Sequence, residues 1–159
     1  MRYSVSSLLI LPLVMTLPMA HANPDLARSW SEEANLLEAQ INTSPEGGLS
    51  PELKASIARF GRIAGRLAES GSAENPLPHD LGCIFRGMEE ETDLQLSHLT
   101  PDASAEAISA ARVRLAKMFD DAVDVGQSAA LALEAGVALD QSVQAGDEPG
   151  QCPADWSAL

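Results

Sequence analysis

Apolar residues recur along most of this chain every three or four positions, with polar and charged residues between them. That spacing gathers apolar side chains on one face of an α-helix. Four such stripes stand out. The first is Leu26, Trp30, Ala34, Leu37 and Ile41. The second is Leu53, Ile57, Phe60, Ala64 and Leu67. The third is Leu81, Ile84, Phe85, Met88, Leu96 and Leu99, with Thr92 at an inward position amid polar neighbours. The fourth is Ala107, Ala111, Leu115, Met118, Ala122, Val125, Ala129, Leu133 and Val137.

Start signals precede the stripes. Asn23-Pro24-Asp25, Ser50-Pro51-Glu52 and Thr100-Pro101-Asp102 each place a capping residue, then proline, then an acid, a combination suited to a helix N-terminus. Asp80 is the expected cap of the third helix. The segments 42–48, 70–79 and 146–159 are rich in Pro, Gly and Ser and read as loops or irregular chain. Residues 103–145 contain no proline. One helix of that length would reach about 65 Å, against about 30 Å for the others. It must therefore overhang its neighbours or break near Gly126 or Gly136, and a break is the favoured expectation. The pattern thus predicts an all-α fold, an antiparallel up-and-down helical bundle of four helices, five if the last is broken. The bundle should occupy residues 23–145, followed by an irregular tail at 146–159.

The start of the chain reads differently. Arg2 is the only charge before Asp25, an apolar run spans Leu8 to Ala20, and Ala20-His21-Ala22 follows. These are the three parts of a cleavable signal peptide over residues 1–22. Pro12 and Pro18 interrupt the run, which is also too short for a bilayer span of about 20 residues. The expected address is the periplasm, with secretion as the alternative, and no membrane insertion after cleavage.

Charge narrows the partners. Without Arg2 there are nine basic residues against 23 acidic ones. So acidic a chain is a poor match for nucleic acid or an anionic membrane. Alanine and leucine dominate and β-branched residues are few, which favours helices. The two cysteines, Cys83 and Cys152, read as a structural disulfide in an oxidising compartment. In the chain-entropy model a loop of that length is stabilised by about 4 kcal/mol. It would pin the tail and Trp156 to the start of the third helix.

Candidate chemistry is sparse. Arg59, Arg62 and Arg66 form a basic stripe on the second helix, suited to an anion or an acidic partner, or to a solvated face or pairing with a neighbouring acidic helix. Gly61, Gly65, Ala58 and Ala68 form a strip of small residues, read as a tight contact within the bundle or a homodimer seam. Glu89 and Asp93 on the third helix, with Asp120 and Asp124 on the fourth, could form a weak cation cluster if they face each other. The Glu-x-x-His pairs of di-iron bundles are absent. His79, Asp80 and Cys83 lie close in sequence, but a disulfide would consume the thiol. Met88 reads as core, and C-x-x-C-H is missing. No nucleophile elbow, phosphate loop or zinc motif appears. Asn42-Thr43-Ser44 has the glycosylation pattern, which matters only on a eukaryotic route.

The sequence therefore points to an exported non-enzymatic bundle, without cofactor or metal, that binds another exported or envelope protein. The alternative is a small-ligand or cation-binding module.

Overall fold

The computed structural model describes residues 24–45, 48–69 and 77–135. The expected signal peptide, Gly136, Cys152 and the expected irregular tail lie outside the described residues. Four helices are present among those described: α1 (Pro24–Thr43), α2 (Pro51–Glu69), α3 (His79–Ser97) and α4 (Ala105–Ala135). They pack as a bundle, with no strand among the described residues. None of these helices is long and apolar enough to cross a membrane.

The helix starts follow capping chemistry, with two corrections. Ser50 caps α2 as expected, its Oγ accepting the Leu53 N–H at 3.2 Å. Asp80 does not cap α3. The cap position falls two residues earlier, at Pro78, with no side-chain cap, and Asp80 is an acid of the first turn. Thr100-Pro101-Asp102 does not open α4 either. It forms a turn closed by the Ala103 N–H on the Thr100 carbonyl at 3.2 Å. Ser104 caps the helix instead, accepting the Ala107 N–H at 3.2 Å.

The expected break at Gly126 is also corrected. Helix α4 runs through it without interruption, over 31 residues or about 47 Å. Gly126 is a point of close approach. A Cβ there would fall 2.7 Å from Ser31 Cβ and 2.9 Å from the Ala27 carbonyl oxygen.

The helices associate as two close pairs, α1 with α4 and α2 with α3, joined by the slighter α1–α2 and α3–α4 contacts. Small residues make the pairs close. Ala27 and Ala34 of α1 and Ala122, Ala129 and Ala130 of α4 are buried, and Ser31 donates to the Val123 carbonyl at 2.8 Å. Early residues of α1 meet late residues of α4, as Arg28 pairs with Glu134. At the other end Arg112 donates to the carbonyls of Ile41 and Ser44, each at 2.7 Å. In the second pair Gly61 lies under Thr92 and Gly65 under Glu89. The strip of small residues is thus a tight contact within the bundle.

Aromatic rings lock the two pairs together. Trp30 of α1 stacks on Phe60 of α2 with centroids 4.4 Å apart, and its Nε1–H donates to the Phe60 carbonyl at 3.1 Å. Phe85 meets Trp30 edge-on at 5.0 Å, and Phe119 meets Phe60 edge-on at 5.0 Å. All four rings are essentially buried. Such pairs contribute about 0.5–1.5 kcal/mol each beyond the area they bury.

Candidate functional site

The rings fill the centre and the α1–α2 side of the bundle but leave the α3–α4 side thinly covered. The positions of α3 that face α4 there include Gly87, which has no side chain to fill the seam, and Glu91, which reaches across to Arg114 of α4. A groove of about 560 Å³ results. Its floor is Ile84, Gly87, Met88, Met118 and Val125. Two methionines in the floor give a soft, adaptable apolar surface. Thr92 lies beneath, its hydroxyl donating to the Met88 carbonyl at 2.7 Å and lying 3.6 Å from Met118 Sδ.

The rim is charged, with both signs present. Glu91 accepts from Arg114 Nε at 2.9 Å and from Gln95 Nε2 at 3.1 Å, a clasp across the two helices. Lys117 is bonded to Asp121 one turn along α4, and that carboxylate raises the lysine's proton affinity. Apolar floor and satisfied polar rim are the makings of a recognition groove. Among these residues there is no nucleophile with an adjacent base.

The residues singled out from sequence fall elsewhere. Arg59 pairs with Glu33 of α1 at 2.5 Å, so part of the basic stripe serves the α1–α2 contact. Arg62 and Arg66 are exposed on the same helix. The cation cluster is not assembled. Glu89 points at Gly65 of α2, while Asp93, Asp120 and Asp124 are exposed. No group of three potential metal ligands occurs among the described residues. Burial, followed by the charges of Asp93, Glu69 and Glu90, pushes the Glu89 carboxyl above its ordinary range. Desolvation against a neighbouring helix accounts for that shift, without a ligand.

Cys83 is only 3% exposed and is not a free thiol. Its expected partner, Cys152, lies outside the described residues. Met88 sits at the edge of the core and in the groove floor.

The groove residues Glu91, Arg114, Lys117, Met118 and Asp121 were not singled out as a site by sequence reasoning. The available signal was the coincidence of Met88, Gly87 and Met118 on inward faces. It becomes a site only once α3 and α4 are known to flank the open seam. No family model, curated protein or solved structure matches the chain.

Proposed function

We propose that this chain is an exported, non-enzymatic protein that binds an apolar segment of another exported or envelope protein in the α3–α4 groove. The observation that carries the reading is an apolar floor of half-buried Ile84 and Val125 beside the more deeply set Met88 and Met118, bounded by the Glu91–Arg114 and Lys117–Asp121 pairs. A helix laid there would bury its apolar face on the methionines and set its polar flanks against charges of both signs. The scaffold in this reading is an antiparallel up-and-down bundle, supported by the meeting of Arg28 with Glu134 and of Arg112 with Ile41. A cleaved signal peptide at 1–22 delivers it to the periplasm. Cys83 and Cys152 are joined as a disulfide, a reading supported by the absence of a free thiol at Cys83; an intact mass lower than that of the reduced chain by two hydrogen atoms is expected.

The test is photo-crosslinking in an envelope extract, with a benzophenone amino acid replacing Lys117 in one protein and Arg62 in another. Adducts to a second protein from position 117 and none from 62 are expected. Adducts only from 62 would transfer the function to the arginine stripe. A second reading, a small apolar ligand, is favoured by the groove's size alone. Native mass spectrometry of the mature protein would then find a bound small molecule and no partner.

A further inference from the structure

Five methionines occur in the sequence. Met1, Met15 and Met19 lie in the expected signal peptide. The other two, Met88 and Met118, meet on the floor of one groove, which they reach from different helices, α3 and α4. Elsewhere among the described residues the buried apolar side chains are those of Ala, Leu, Ile, Phe, Trp and Cys83. Thioethers are thus confined to an apolar surface that opens to solvent.

Their depth suits a reaction with a small solute. Met88 is 9% and Met118 7% exposed, while Phe85, Leu115 and Phe119, beside them on the same helices, are sealed at 0%. Thr92, also fully buried, sets its hydroxyl oxygen 3.6 Å from Met118 Sδ. That hydroxyl closes the inner side of the sulfur, so a solute approaches Sδ from the groove. An oxygen added from that side points into water, and the fold gains no unsatisfied buried polar group.

We propose that Met88 and Met118 form a reversible oxidation site, at which a hydroperoxide turns the groove floor from apolar to polar and releases its partner. With hydrogen peroxide, the sulfur lone pair attacks one peroxide oxygen and the O–O bond breaks. An S=O bond forms, sulfur losing two electrons and the peroxide gaining them. The second oxygen takes the proton of the transferred one and leaves as water. A methionine sulfoxide reductase reverses the step, releasing the oxygen as water while two thiols become a disulfide. Release rests on the partner-binding reading of this groove and adds its regulation. An apolar helix seated on the oxidised floor would bury S=O oxygens with no donor to meet them. A buried unsatisfied acceptor weakens binding about tenfold or more.

The first experiment treats the disulfide-bonded mature chain with hydrogen peroxide and follows each sulfoxide by peptide mass mapping. It is run in buffer and in urea below the unfolding transition. Both methionines should oxidise within about tenfold of the rate of free methionine, since susceptibility follows access, and low urea should leave the rates unchanged. A slower reaction at either residue, or rates that climb with urea, would show sulfurs reached only by unfolding and would overturn the inference. The second experiment repeats crosslinking from position 117 in the envelope extract. It uses protein that is untreated, oxidised and freed of peroxide, or oxidised and then repaired by the reductase. The yield of adducts should fall about tenfold on oxidation and return on repair. An undiminished yield with both sulfoxides present would overturn the inference and leave the groove standing as the partner site. No adduct even from untreated protein would sink the partner reading, and partner release with it; the peroxide kinetics would still decide whether the two sulfurs are an oxidation site.

Discussion

The Cβ that Gly126 lacks would fall 2.7 Å from the Cβ of Ser31, where α4 crosses α1. A second obstacle is backbone, the Ala27 carbonyl oxygen at 2.9 Å, and a third is the Trp30 ring at 3.1 Å. None of these can swing aside. Gly126→Ala must push the two helices apart.

Alanine recovers about 1 kcal/mol of helix propensity, while overpacking a core costs about 1–3 kcal/mol. Gly126→Ala should therefore lose on the order of 1 kcal/mol net, read as a lower urea midpoint. Gly65→Ala is the contrasting case. The three atoms nearest its new methyl belong to the Glu89 carboxylate, the far end of a flexible side chain that can rotate into water. That variant should be neutral or gain up to about 1 kcal/mol. Equal losses at the two positions would refute the distinction.

Arg112 ties the end of α1 to α4. Its guanidinium donates to the carbonyls of Ile41, Ser44 and Pro45 at 2.6–2.7 Å. These acceptors lie in the last turn of α1 and just past its end, where a cation is also favoured by the helix dipole. Arg112→Ala should cost about 1–3 kcal/mol, the range for hydrogen bonds to a charged group. Arg112→Lys should recover only part, because one ammonium cannot reproduce the fork. Full recovery by lysine would mean that charge alone matters.

How much of this was legible in the chain varies by element. The stripe Leu53, Ile57, Phe60, Ala64 and Leu67 is buried throughout, because α2 is flanked by neighbours that cover one continuous face. In α4 the stripe missed Phe119, which is fully buried, since it precedes the acidic pair Asp120-Asp121 and periodicity favoured Met118. The pairing of α1 with α4 was written in Ala27, Ala34, Ala122 and Ala130, but small residues do not say which helix they meet. The groove depends on that pairing. Met88 and Met118 read equally well as core until the helices beside them are placed. The carboxylate cluster failed for the same reason: Glu89 and Asp120 sit on helices that touch, on faces that do not.

The start of α4 tests capping against pattern. Ser104 Oγ accepts the Ala107 N–H, and the Glu106 carboxyl is held below its ordinary range by its own backbone N–H and by the Ser104 hydroxyl. Ser104→Ala should cost about 1 kcal/mol. Asp102→Ala, in the exposed turn before it, should stay within about 0.5 kcal/mol. Thermal melts of the two variants would separate the true cap from the sequence look-alike.

Glu89 gives the fold a pH dependence whose sign follows from its surroundings. Its carboxyl is raised above the ordinary 4.5 first by burial, then by Asp93, Glu69 and Glu90, with Arg86 opposing. The folded state therefore holds this proton more tightly than the unfolded chain does. Stability from this group is fully present below about 4.5 and declines as pH rises through the raised folded value, since the unfolded chain then releases its proton more readily. Above that window the ionised carboxylate is a standing cost. Glu89→Gln keeps the shape and removes the charge, so it should be more stable than the parent at neutral pH. The difference should shrink as the pH falls below the window. Urea titrations of both proteins from acidic to neutral pH would read the effect as a divergence of midpoints. Gly65→Ala supplies the control. By turning the carboxylate into water it should remove the same divergence without touching residue 89. A parent and a Glu89→Gln variant whose midpoints run parallel across the range would show that the carboxylate over Gly65 is already fully solvated.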